Sequence, residues 1–251
     1  MLLGAASVHA ADLPVYEPAP PVAAPYFDWT GGYVGVFGGY GWGDARASSA
    51  YNSDSEDFYN IDDQSYSLDP DGFFAGLTAG YNMDFGGFVL GVEGELGYLG
   101  LDGSAIDPNN APDQDTRTRF EADFYGALYA RAGAAFDRVL IYGKGGVAFL
   151  NADARTVDDC IGIDIGCGTE TLTMTGDDTM VGWMVGAGIE WALTESLSVK
   201  GEYAYFDFGD IRTSGEASET GFYTQKIDLD VHTVKVGLNY RFGGGAVSAA
   251  Y

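Results

Sequence analysis

Ten charged side chains are set singly among apolar and glycine neighbours and have the types that could do chemistry. They are Glu93, Glu95, Asp123, Arg131, Lys144, Glu190, Lys200, Glu202, Lys235 and Arg241. Glu93 and Glu95 come closest to a general acid–base pair, because two carboxylates held together can be driven to different protonation states. They stand two apart in GVEGELGY with no nucleophile or substrate cleft beside them, and no catalytic residue is assigned. Histidine usage argues the same way. There are two, His9 near the start and His232 near the end, and an acyl-transfer site needs a histidine base beside a serine or an acid. None of the G-x-G pieces opens a helix after a strand, which a phosphate loop requires, so no cofactor is implied.

Cys160 and Cys167 are close in sequence, with Gly162 and Gly166 between them. In an exported chain this spacing suggests a local disulfide, with reduced thiols the alternative. A metal site is a poor reading, since no histidine accompanies them and the spacing is long for a zinc knuckle.

Those charged side chains must be positioned by strands. From His232 to Phe242 one parity reads His232, Val234, Val236, Leu238, Tyr240, Phe242 and the other Thr233, Lys235, Gly237, Asn239, Arg241. A period of two with one apolar and one polar face is a strand between two different solvents. The same alternation recurs at Trp29–Trp42, Phe73–Phe85, Phe88–Leu101, Ala122–Phe136, Val139–Asn151, Met180–Leu193 and Leu197–Phe208. Short turns (Gly86-Gly87, Asp137-Arg138, Thr194–Ser196) alternate with long polar connections. The expectation is an all-β fold, an eight-stranded antiparallel transmembrane barrel with short periplasmic turns and long extracellular loops. A soluble β-sandwich is the alternative. In a barrel this narrow the interior only just holds side chains, so the ten charges form either a paired structural plug or a gate whose pairs exchange to admit ions.

Composition agrees with that class. The chain has 251 residues, 38 glycines, 14% aromatics and a net charge of −25. Such an anionic chain repels nucleic acid. The connections and strand ends at 44–71, 102–123, 153–178 and 207–230 hold 27 of the 37 acids. They read as solvated faces, or as sites for divalent cations shared with lipopolysaccharide phosphates. At the front, Met1–Ala10 reads as the tail of a secretion signal, with Val8 and Ala10 at the −3 and −1 positions; an ordinary disordered terminus is the alternative. Cleavage after Ala10 leaves Ala11-Asp12 and a proline-rich periplasmic leader over 11–28. The barrel then covers 29–242 and a short tail 243–251.

Taken in order, WTGGYVGVFGGYGWG, GVEGELGY, VGWMVGAGIEW, GEYAYFDFG and VGLNYRF resemble the small alphaproteobacterial outer-membrane proteins, often labelled "porin family", with an OmpA-like eight-stranded barrel. Lys235, Gly237, Tyr240 and Phe242 resemble the signal by which the barrel-assembly machinery recognises its substrates. The resemblance implies a surface barrel of the bacterial outer membrane, in contact with its lipid and lipopolysaccharide, that supports envelope integrity. It also implies attachment of a mature Ala11-Asp12 terminus to peptidoglycan. A narrow cation-preferring diffusion channel and a loop-borne receptor or adhesin are the other roles open to such a barrel.

Overall fold

The computed structural model of the chain describes residues 26–52, 64–106, 116–158, 172–217 and 221–242. The signal, most of the leader, both cysteines and the tail lie outside the described residues. The strands are β1 (Gly31–Asn52), β2 (Gln64–Leu68), β3 (Asp71–Asp84), β4 (Phe88–Ile106), β5 (Thr116–Phe136), β6 (Val139–Asp158), β7 (Leu172–Ala192), β8 (Leu197–Ala217) and β9 (Gly221–Phe242). Each pairs antiparallel with its neighbour, and β1 pairs with β9 along its whole length. The sheet therefore closes on itself in its lower half; above it, among the described residues, β2 pairs only with β1, and β7 and β8 pair with each other only from Trp183 and Asp207 downward. β2 and β3 both pair with β1 and form one stave interrupted at Asp69-Pro70, where proline cannot donate to the ladder. The wall thus has eight staves.

At one end the staves are joined tightly. Gly86 and Gly87 take φ of 81° and 103°, and Asp137 takes φ 54°, the left-handed region that short hairpins require. At the other end the strands run further than the alternation alone indicates. β1 continues past Trp42 to Asn52, and β9 begins at Gly221 rather than near Val231. Much of what reads as loop is wall.

The cause is an inversion of polarity along each stave. In the lower half the outer face is apolar, as in Phe73 (79% exposed), Leu96 (72%) and Phe124 (67%). An exposed apolar surface this large and continuous is built for hydrocarbon rather than water. On β9 it runs from His232 to Phe242, a height of roughly 25 Å for tilted strands, about that of an outer-membrane apolar band. Above it the outer positions become Asp44, Asp71, Asp102, Asp153 and Asp230, while the inner ones become Ala45, Leu68, Leu101, Leu150, Ala152 and Leu229, all buried. The upper half is therefore organised like a water-soluble barrel with an oily centre.

Bulges mark the junction. β5 carries an extra residue between Ala122 and Tyr125, and β8 one between Asp207 and Asp210, where Gly209 has φ 68°.

Candidate functional site

The interior of the lower half is a compact layer of ions. Arg131 spans Glu93 and Glu190 at 3.1 and 2.9 Å through its two terminal nitrogens, and its Nε donates to Asn82 Oδ1 at 3.0 Å. Lys144 and Lys235 each lie 2.9 Å from Glu202, and Lys200 lies 3.6 Å from it. Lys200 also pairs with Glu93, and Lys235 with Glu95. Four carboxylates thus meet four cations, so the layer is neutral.

Hydroxyls and amides fill the remaining acceptor positions. Tyr33 and Thr78 donate to Glu93, Tyr142 donates to Glu202, and the Tyr129 hydroxyl sits between Glu93 and Glu95. Ser198 and Asn239 donate to Glu190 at 2.5 and 2.9 Å. Every carboxylate in the layer has more than one partner, which is the condition under which charge can be kept away from water. Two tyrosines fit because they lie over glycines. A Cβ on Gly80 would stand 2.4 Å from the Tyr33 hydroxyl, and one on Gly188 would stand 2.7 Å from the Tyr142 ring.

Carboxylate oxygens of Glu93, Glu95 and Glu202 approach within 4.8 Å of one another, a spacing that suits a divalent cation. The ammonium groups of Lys144, Lys200 and Lys235 already supply the positive charge there. The same engagement leaves neither Glu93 nor Glu95 placed as a free acid or base.

Nine of the ten charges singled out by spacing are buried in the interior, and Asp123 is the exception. The bulge between Ala122 and Tyr125 turns Asp123 and Phe124 outward together, so Asp123 faces away from the ion layer. Arg241 is buried but stands apart at the turn end. Its guanidinium lies 4.6 Å from the Phe27 ring and 4.9 Å from Trp29, and Nη2 donates to the Asp28 carbonyl at 2.8 Å. Of the assembly-signal positions, Lys235 and Gly237 face inward, while Tyr240 and Phe242 are each 53% exposed at the lower edge of the apolar band.

Two features of the interior go beyond the charges. Below the ion layer, Phe27 and Trp29 fold into the barrel mouth against Val89, Leu140, Tyr142 and Ala192, and Trp29 is fully buried. Trp29 Nε1 donates to the Asp137 carbonyl at 2.9 Å, and its backbone N–H to Asp84 at 3.2 Å. Trp29 reads from alternation as the first residue of a strand; the signal for the plug is two large aromatics just before the glycine pair that opens β1. Above the ion layer, Phe37, Phe74, Tyr125, Phe206 and Phe208 pack ring on ring. The cavity left among them is about 10 Å³, the smallest space that holds one water.

Comparison with known proteins places this geometry. Residues 1–242 match the family described as outer membrane protein beta-barrel domain. The 31 kDa outer-membrane immunogenic protein of Brucella melitensis is 35% identical over 245 residues, covering 95% of both chains. The 25 kDa outer-membrane immunogenic protein of Brucella abortus is 29% identical over 225 residues, covering 90% of this chain and 84% of that one. Among solved structures, the outer membrane protein OprG of Pseudomonas aeruginosa superposes with a TM-score of 0.54 at 14% identity, over 86% of this chain and 98% of its own. That likeness is one of fold.

Proposed function

This chain belongs to the outer-membrane β-barrel family, with its place in the bacterial outer membrane, and on that premise we propose that it is a closed, non-catalytic structural element of the envelope. The observation that carries this reading is the stacking of three seals in one narrow lumen. These are the Phe27–Trp29 plug, the neutral ion layer, and the aromatic packing above it. An ion crossing the barrel would have to displace all three. Opening the middle seal alone separates charges whose desolvation costs several kcal/mol each.

The test is conductance of the purified, refolded chain in planar bilayers. Sealed membranes at 1 M salt are the expected result. Reproducible long openings from protein free of contaminating porins would establish the cation-preferring channel instead.

The ends of the chain complete the proposal. The described residues at both termini lie at the turn end, where Arg241 meets Asp28. In this proposal the turn end faces the wall, and a spacer with the proline-rich composition of 11–27 would reach about 50 Å if polyproline-like. Covalent attachment of Ala11 to peptidoglycan would turn the barrel into a tether. Lysozyme-released protein should then carry a muropeptide mass on its N-terminal peptide, and a free amine on every molecule refutes the attachment. The assembly signal at Lys235, Gly237, Tyr240 and Phe242 and a local Cys160–Cys167 disulfide belong to the same proposal.

A further inference from the structure

At the upper edge of the apolar band, the face formed by β8, β9 and β1 differs from the rest of the rim. Elsewhere the edge aromatics meet edge-on, as in Tyr40–Phe73 at 73° and Tyr98–Phe124 at 84°. On this face Trp42 and His232 lie nearly parallel, with 16° between their planes and centroids 5.8 Å apart. Tyr205 continues the row on β8 at 5.1 Å from His232, tilted 53° to it, and His232 is the direct cross-strand partner of both Trp42 and Tyr205. The row is held in place. Tyr203 Oη and His232 Nδ1 are 2.7 Å apart, and the Tyr205 hydroxyl donates to Asp230 at 2.8 Å.

One step outward along the same strands, Asp44, Asp230 and Asp207 form a second cross-strand row. Like charges placed side by side in a sheet repel one another. His232 stacks between Trp42 and Tyr203, so the ring surface offered outward is chiefly that of Trp42, 40% exposed. Such a surface backed by carboxylate acceptors suits a molecule with an apolar C–H face and hydroxyl donors at its rim. That is the chemistry of a sugar ring. The acidic row turns phosphate away and accepts hydroxyl protons, so it selects the sugar rather than its phosphate substituents.

We propose that the row Tyr205–His232–Trp42, bordered by Asp230 and Asp44, is a recognition surface for a headgroup sugar of the outer-leaflet lipopolysaccharide. The inference rests on the barrel standing in an outer membrane, and it is independent of whether the lumen conducts. A generic aromatic girdle requires rings alone at the headgroup level. This surface adds fixed ring orientation and carboxylates placed at the ring edge.

Native mass spectrometry of the full chain in an amine-oxide detergent, which carries no sugar, reads the proposal directly. Rough lipopolysaccharide and phosphatidylglycerol are the two probes. The expected result is retention of lipopolysaccharide about tenfold over phosphatidylglycerol, a difference of roughly 1.4 kcal/mol. Replacing Trp42 and His232 together with leucine should remove most of that preference. Trp191→Leu, at an exposed tryptophan near the opposite edge of the band, should leave it unchanged. A cold-versus-boiled gel shift verifies that each variant is folded. Asp230→Asn, which keeps every ring, provides a second reading with an expected loss of about threefold. Equal retention of both lipids overturns the proposal, as does an unchanged preference in the double variant or in Asp230→Asn. Loss of binding when the lipopolysaccharide is dephosphorylated overturns it as well.

Discussion

Replacing Glu202 with alanine should destabilise the folded barrel by about 3–5 kcal/mol, the cost of removing one partner from a buried ionic group. The carboxylate lies 2.9 Å from Lys144, 2.9 Å from Lys235 and 3.6 Å from Lys200, and it accepts from Tyr142. Without it the layer holds four cations against three carboxylates, in a space with no access to water. Urea unfolding in lipid vesicles measures the loss, and the temperature at which the cold-sample gel band shifts should fall with it. Pairing the change with Lys235→Met restores neutrality and should recover more than half of the lost stability. Equal stability of Glu202→Ala and the wild type would mean that the lysines do not depend on it.

Trp29→Ala should cost a similar amount, about 3–5 kcal/mol, for a different reason. The loss here is of packing: a large ring with no exposed surface is replaced by a cavity at the mouth. Its indole N–H bond to the Asp137 carbonyl disappears, and so does one of the two ring faces beneath Arg241. Arg241 depends on those faces, because among the described residues its Nε and Nη1 have no hydrogen-bond partner. The same vesicle unfolding experiment measures the effect. Conductance should remain absent, since the ion layer and the aromatic packing above it are untouched. Current through the Trp29→Ala variant would make the plug the true gate.

The strands, the closure and the lipid-facing parity were legible because lipid and a charged lumen impose opposite demands on alternate residues. Leu96 and Glu95 could not exchange places. The membrane attribution followed from the same contrast, and family membership agrees with it. Asp123 was misplaced because a bulge shifts parity without any local composition signal. The upper wall was misread as loop because parity had been equated with one chemistry, apolar outward. Above Tyr98 the same inner parity carries Leu99 and Leu101 while the outer one carries Asp102. The plug was missed because Phe27 and Trp29 are ordered by residues more than a hundred positions away, at Asp137.

The inversion of polarity carries a consequence for how such chains can change length. On a stave such as β4, unlike the bulged β5, both halves are read in one frame. A single-residue insertion near Val92 would therefore turn Glu93's successors to the oil and, further up, send Asp102 inside and Leu101 out to water. Point substitutions disturb one half locally, whereas a frameshift in the pleat corrupts two solvents at once. The tolerant places are the kinks at 122–125 and 207–210, which already absorb an odd residue. Variation in strand length among relatives should accumulate there and in the tips, and avoid the straight runs between.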